Sequence, residues 1–446
     1  MKPRSSSTKQ PTIHQVFAKT RPLTFTDTKA IKITRLIAGM ICTDNQPVSI
    51  VKNLGFNRLL QFLEPRYTIP SKKYFSTIEI LSIYQKGPSK IQFLAKKAYH
   101  VSITTDMCSS TTNVDYMSLT AHFLTEDMKQ IHICLEVVPF PYESHNAPNL
   151  VNCMNESLER LGLLEKLNVV VRDNARNIVS AMEVGKFTNM PCLAHTLSLV
   201  VKDGCLDNER ISLLTATCRR IVGHFKHSVK SYKFLRQSEK ILGLPKHSIN
   251  QDEPTRWNST FHMLNRLIEQ KDAILLVTPH FPKATQQNKE LSTGEWDSLV
   301  LLVAALKVFE EVTLTASSSK VNTSEVISII NAVNMSIDRI KDYGNFKESL
   351  CQSLHRCYGD CENEPIYAFA TLQDSRFKNK NFRSRTMAEK AVTLLIGELN
   401  ALDIDEGHEN KAAEKQEPTT PAPGAVWSLY NHLTNTNSIV SIVLLY

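Results

Sequence analysis

Two aspartates stand where a divalent cation would be held. Val169-Val170-Val171 is an uninterrupted β-branched run, followed within two residues by Asp173-Asn174 and then by Ile178, Val179 and Met182 at helical spacing. That pattern predicts a buried parallel strand delivering an acid to its carboxyl end. A second strand, Tyr99 to Thr105, is expected to end the same way at Asp106. Strand carboxyl ends are where open α/β sheets place their chemistry, and a pair of carboxylates there invites Mg²⁺. Asp173 ahead of Asn174 also suits a cap on the helix that follows.

Three further groupings carry chemical potential. Cys192 and His195 have zinc-like spacing, although two ligands leave a site open and a packed helix start fits as well. Cys351, His355, Cys357 and Cys361 form the densest cysteine/histidine cluster. Cys351 and His355, four apart, share a helix face; the set either closes a zinc tetrahedron or is a chance grouping of buried thiols. Trp257 beside Arg256 is either a core aromatic or an indole that stacks on an unpaired base.

The chain that must position these residues has 446 of them, 42% hydrophobic and 22% charged, enough for several buried cores. Its 14 glycines fall well below the usual share of about 7% and favour helices over turn-rich β architecture. The net charge of +8 is concentrated early, with Lys2, Arg4, Lys9, Lys19 and Arg21 on an arm that suits phosphate backbones or simply solvates. Met1 to Gln15 lacks the apolar centre of a signal peptide and no stretch is apolar enough to span a membrane, so the expectation is an intracellular chain whose ten scattered cysteines are reduced.

In chain order, Met1 to Thr26 reads as a disordered basic arm. Within it Gln10 to Phe17 loosely resembles the peptide that plugs sliding clamps of replication, with an ordinary linker as the alternative. Ile31 to Ile41, Val48 to Phe56 and Leu59 to Leu63 predict a small helical domain. Ser71 is placed to cap a helix from Lys72 to about Gln85, which Gly87-Pro88 should interrupt before Ile91. Strong period-two alternation then predicts three strands, over Val101–Thr105, Met117–Phe123 and Ile131–Val137, in an antiparallel meander. A helix from Asn149 to Leu164 crosses over to the Val169 strand. Three antiparallel strands, helix, parallel strand, helix is the element order of the ribonuclease-H-like fold, in which the first and fourth strands are neighbours and Asp106 would face Asp173.

Here a family likeness becomes specific. Thr104-Thr105-Asp106, Ser118-Leu119-Thr120-Ala121-His122-Phe123, Arg172-Asp173-Asn174-Ala175, the Pro191 to Val201 segment and Pro254-Thr255-Arg256-Trp257-Asn258-Ser259-Thr260, in that order, resemble the body of hAT-superfamily transposases, and especially of their zinc finger BED-type relatives. Gln46 to Tyr67 and Leu372 to Lys378 extend the resemblance, which runs from about Thr28 to about Leu429.

The resemblance implies Mg²⁺-dependent DNA strand transfer by two aspartates and a distant glutamate, with a long helical insertion before the glutamate. Asp106 matches the first acid and Asp173 the second, and Arg256-Trp257 would lie close to DNA. The family's serine-rich glutamate motif is not found before Tyr446, and Glu310, Glu311 and Glu325 fall on insertion helices. No cysteine and histidine pairs at BED-finger spacing lie in Met1 to Thr26.

The expected architecture is therefore α/β: a disordered arm (1–26), an N-terminal helical domain (27–98), a ribonuclease-H-like core (99–205), an all-α insertion domain (206–402), and a linker with an apolar tail (403–446). The expected function is that of a domesticated, transposase-derived nuclear protein that binds DNA or chromatin and transcription partners without catalysis; the alternative is a fragment of an active transposase. No firmly bound cofactor is expected, Mg²⁺ belonging only to the ancestral acids. DNA contact should be weak and salt-dependent, through the arm and residues such as Arg219, Arg220, Lys226, Lys230 and Lys233. The family associates through a C-terminal region, so a monomer without that region is expected, with no membrane partner.

Overall fold

Alternating residues and one β-branched run build a five-stranded mixed sheet in the order β3-β2-β1-β4-β5. Its strands are β1 (Val101–Ser109), β2 (Asp115–Leu124), β3 (Gln130–Pro139), β4 (Leu167–Arg172) and β5 (Asn189–Pro191). The computed structural model describes residues 21–127, 129–280, 290–317, 321–340 and 346–401. Most of the basic arm with its Gln10 to Phe17 peptide, and the linker and apolar tail, lie outside the described residues. The chain divides into two compact units, Met1–Val171 with Ser180–Asn189, and Arg172–Val179 with Met190–Tyr446.

The meander of the first unit follows from its alternation. Val101, Ile103, Met117, Leu119, Ala121 and Phe123 are buried, while the intervening Ser102, Thr104, Ser118, Thr120 and His122 are half-exposed. β1 and β2 pair antiparallel with Thr104 opposite Thr120, and β1 and β4 pair parallel with Thr104 opposite Val171. β2 and β3 also run antiparallel, with His122 opposite His132. The crossover helix spans Ala147–Leu161; Asn146 caps it by accepting the Asn149 amide at 3.0 Å, and Gly162 ends it at φ +67°, where only glycine is unstrained. Its Leu150, Met154 and Leu158 are buried, and Arg160 pairs with Glu136 of β3 at 2.7 Å.

The segment ahead of the sheet is helical, and two of its details differ from the sequence reading. Thr28–Thr43 packs Ile37, Ala38 and Ile41 against Val51, Tyr67 and Phe75, and the buried Thr34 hydroxyl meets Tyr67 Oη at 2.7 Å. Leu36, expected on the buried stripe, is 64% exposed, because the small Ala30, Thr34 and Ala38 set the face along which this helix approaches its neighbours. Ser71 does cap the next helix, accepting the Tyr74 amide at 3.2 Å. The interruption at Gly87-Pro88 does not occur: Ile80–Ala95 continues through Pro88. Proline there forfeits one backbone hydrogen bond, and the end of the helix is instead secured by Lys166, whose ammonium donates to the carbonyls of Ala95 at 3.1 Å and Ala98 at 2.8 Å.

From Leu193 to Ala401 every described element is helical. The helix Leu193–Val201, which falls inside the 99–205 span expected for the core, groups with the second unit: its Leu197, Val200 and Val201 join a continuous apolar core with Trp257, Leu264, Leu299, Phe309, Ile330 and Leu350. A π-type turn at Lys202–Leu206 brings Gly204 against the helix Phe346–Tyr358. A Cβ on Gly204 would stand 2.9 Å from Leu350 Cα and 3.0 Å from the Ser349 carbonyl oxygen, both backbone atoms with little freedom to retreat. Gly204→Ala should therefore cost about 1–3 kcal/mol by overpacking. Urea unfolding followed by tryptophan fluorescence reads this directly; an unchanged midpoint would mean that the two helices separate without cost.

Candidate functional site

Two of the sequence motifs meet beyond the end of β4. The Arg172 carbonyl accepts the Cys192 amide at 2.7 Å, and Asn174 Nδ2 donates to Thr196 Oγ1 at 2.8 Å. The Thr196 hydroxyl in turn donates to the Cys192 carbonyl at 2.9 Å. Arg172 folds over its own turn, Nη1 donating to the Asp173 carbonyl at 2.9 Å and to Asn174 Oδ1 at 3.0 Å. Asp173 is half-buried, and its Oδ1 accepts the Ala175 amide at 2.9 Å. That bond is an Asx turn leading into the helix Arg176–Gly185, with Asp173 two residues ahead of the cap position expected for it from sequence.

Asp106 lies within a strand rather than at its end. β1 runs on to Ser109 because Met107, Cys108 and Ser109 still pair with Met117, Tyr116 and Asp115 of β2. The parallel ladder to β4 is the one that stops early, at Thr104 opposite Val171, so each acid lies two positions beyond the last residue paired in that ladder. Asp106 is exposed; its Oδ1 accepts the Met107 amide at 2.9 Å, and its carbonyl accepts from Ser118 Oγ at 3.2 Å. The two acids fall in different units.

A two-metal site needs anionic oxygens on both ions to hold attacking and leaving groups in line. Among the described residues no three His, Cys, Asp or Glu side chains are grouped so as to hold a metal ion, and the cation nearest Asp173 in sequence is the Arg172 guanidinium bonded across its turn. The three glutamates considered as substitutes include two committed elsewhere. Glu310 is buried and bonded to Asn258 and His262, and Glu325 pairs with Arg376 at 3.0 Å.

The cysteine/histidine cluster does not converge either. Cys351 and Cys357 pack against the apolar core, and burial pushes the Cys361 thiol up to about 11. Cys351 and Cys357, six residues apart on one helix, point about 120° away from each other at 3.6 residues per turn. Cys192 is half-buried at the start of the helix Leu193–Val201 and His195 is exposed, with the packed helix start supplying the hydrogen bonds described above.

The Pro254 to Thr260 motif turns out to be a knot at a helix start. Trp257 is 5% exposed and belongs to the core, which leaves its ring no face for an unpaired base; Arg256 beside it is exposed. Ser259 Oγ donates to the carbonyls of Glu253 and Arg256, at 2.9 and 2.6 Å, and Thr260 Oγ1 donates to Asp252 Oδ2 at 2.8 Å. Asp252, whose carboxylate is fully buried, receives Arg219 at 2.8–3.0 Å through Nε and Nη2. Burial pushes the Asp252 pKa up, but the Arg219 and Thr260 hydrogen bonds outweigh it and hold the carboxyl below its ordinary value. Arg219 is therefore a structural cation and not a free phosphate contact. Sequence reasoning missed Asp252, because nothing in the spacing of residues 219 and 252 announces that they meet.

Leu372 to Lys378 is a second knot of the same kind. Asp374 accepts from Ser324 Oγ at 2.7 Å and from Arg376, which also reaches Glu325, while Phe377 is fully buried. Burial raises Asp374, yet the Arg376 and Ser324 hydrogen bonds bring it below the ordinary carboxylate value; at Glu325 burial wins over Arg376 and the pKa is raised.

Comparison with known proteins gives the same sequence order. Residues 104–187 match the family model described as ZBED1 RNase-like domain, and residues 190–305 match the ZBED1 RNase-like helical domain. The human "Zinc finger BED domain-containing protein 4" is 30% identical over 424 residues, covering 90% of this chain and 35% of that relative. The chain belongs to the BED-type, hAT-derived proteins. Mouse "Zinc finger BED domain-containing protein 6" is 26% identical over 70% of the chain, and the maize "Putative AC transposase" is 25% identical over 63% of it. This BED-type chain spans about a third of the length of these relatives, 33–36%. The helical family match begins at residue 190, where the second unit resumes. No helix among the described residues is long and apolar enough to cross a membrane.

Proposed function

We propose that this chain is a domesticated, transposase-derived nuclear protein that binds DNA or chromatin and transcription partners and performs no strand transfer of its own. The observation that carries the reading is the local use of the inherited acids. Asp173 Oδ1 closes an Asx turn and Asp106 Oδ1 accepts its neighbour's amide, so one oxygen of each carboxylate is engaged by its own backbone. The ribonuclease-H-like sheet and the helical unit then supply a shaped, basic scaffold rather than a reaction centre. The net charge of +8 supports contact with phosphate.

Recognition of this kind is carried by backbone phosphates and reads little sequence. Unrelated duplexes of equal length should therefore compete for the purified chain within a few-fold of one another in fluorescence anisotropy. A strong preference for one duplex would contradict the reading. The second reading is an active transposase body using Mg²⁺ at Asp106 and Asp173. It is favoured by the parallel β1–β4 register and by the similarity to the maize protein named as a transposase.

A further inference from the structure

The half-exposed face of the sheet carries a histidine pair that the strand register creates. His122 on β2 stands directly opposite His132 on β3, and their Nδ1 atoms are 2.8 Å apart, with the rings tilted 61° to one another. The two nitrogens share one proton in a hydrogen bond, and with His122 half-buried and His132 exposed an ion arriving from solvent would have to displace that proton. Thr104 of β1, on the same face, meets the other ring nitrogen of His122 at 3.2 Å. A hydroxyl on Nε2 fixes the imidazole in place and leaves Nδ1 as the nitrogen turned toward His132, and such a second hydrogen bond is what orients metal-ligating histidines.

We propose that His122 and His132 form a two-imidazole chelate for a borderline divalent transition-metal ion such as Zn²⁺. Two nitrogens each about 2.0–2.1 Å from one ion, at angles between square and tetrahedral, are separated by about 2.9–3.3 Å. The observed spacing needs to open by only a few tenths of an ångström, while the proton between the nitrogens is released to solvent and each ring turns so that its lone pair faces the ion rather than the other ring. Imidazole donors select Zn²⁺, Ni²⁺ and Cu²⁺ over Mg²⁺ and Ca²⁺, which prefer oxygen. No third protein ligand joins the pair among the described residues, so water completes the coordination sphere and those positions stay open to an outside ligand. Because the ligands belong to adjacent strands, the ion cross-links β2 to β3.

Isothermal titration of the full chain with ZnCl₂, alongside the same titration of His132→Gln, tests this. The native chain should bind one equivalent that the variant loses or binds at least about tenfold more weakly, since even outer-shell changes typically cost about 10–100-fold in metal affinity. Zinc held by thiols is common to both proteins and cancels in the comparison. His122→Gln should have the same effect, and the double variant no more than either single one; MgCl₂ should not compete. His132 is exposed, so its replacement leaves the fold intact, which a metal-free melt verifies. Identical Zn²⁺ isotherms for the native chain and His132→Gln, or additive losses in the two single variants, would overturn the chelate.

Discussion

Arg219→Met is expected to destabilise the helical unit by about 3 kcal/mol or more, because it strands a carboxylate that has no access to water. Breaking a buried ion pair by removing one partner typically costs about 3–5 kcal/mol, and the Asp252 side chain is fully buried while Arg219 is 33% exposed. The exposed partner is thus the one whose loss hurts most. Thr260 and Gln251 would be left as the remaining donors to Asp252, too little for a full charge. Asp252→Asn should cost less, since it removes the charge and keeps the shape. Trp257 and Trp296 both lie in this core, so urea unfolding followed by tryptophan fluorescence reports the effect, and a loss under about 1 kcal/mol would contradict it. The pH dependence has a definite sign. The folded pKa of Asp252 is depressed, so its contribution is fully present above the ordinary carboxylate value near 3.8 and is lost as pH falls through the folded value. Arg219→Met should reverse that acid-side dependence, because burial then dominates and protonating Asp252 relieves the stranded charge.

DNA affinity should fall by about a hundredfold between roughly 50 and 200 mM salt. With Arg219 committed to Asp252, the exposed cations of the same region are Arg220, Lys226, Lys230 and Lys233. About four phosphate contacts give a slope near −3.6 in log affinity against log salt, from about −0.9 per contact, and a fourfold rise in salt then costs about two decades. Lys230→Glu with Lys233→Glu should flatten the slope by about 2 while weakening all duplexes alike. A slope near zero in the native chain would show that phosphate neutralisation is not how it binds.

Much of the sheet was legible because alternation is a local signal. Ile103, Leu119 and Ala121 are buried and their neighbours are not, and the Val169–Val171 run announced the parallel strand next to β1. The motifs located the Arg172–Asn174 turn and the Cys192–Thr196 helix start, but not that Asn174 would bond to Thr196 across 22 residues. β5 escaped notice because three residues, Asn189–Pro191, carry no period. The break expected at Pro88 was a local rule overridden by tertiary support from Lys166 at the helix end. Trp257 read equally as a core aromatic or a DNA contact and Arg219 as a phosphate contact; the burial of the first and the pairing of the second with Asp252 arise only in the folded helical unit.

Inherited architecture without strand transfer is the centre of this account, and DNA-end processing measures it most directly. Purified chain incubated with labelled blunt and pre-nicked duplex ends in Mn²⁺ or Mg²⁺ should yield neither nicked nor joined products, and Asp106→Asn and Asp173→Asn should leave DNA affinity within a few-fold of native. Metal-dependent nicking by the native chain that Asp173→Asn abolishes would contradict the account and establish an active transposase body.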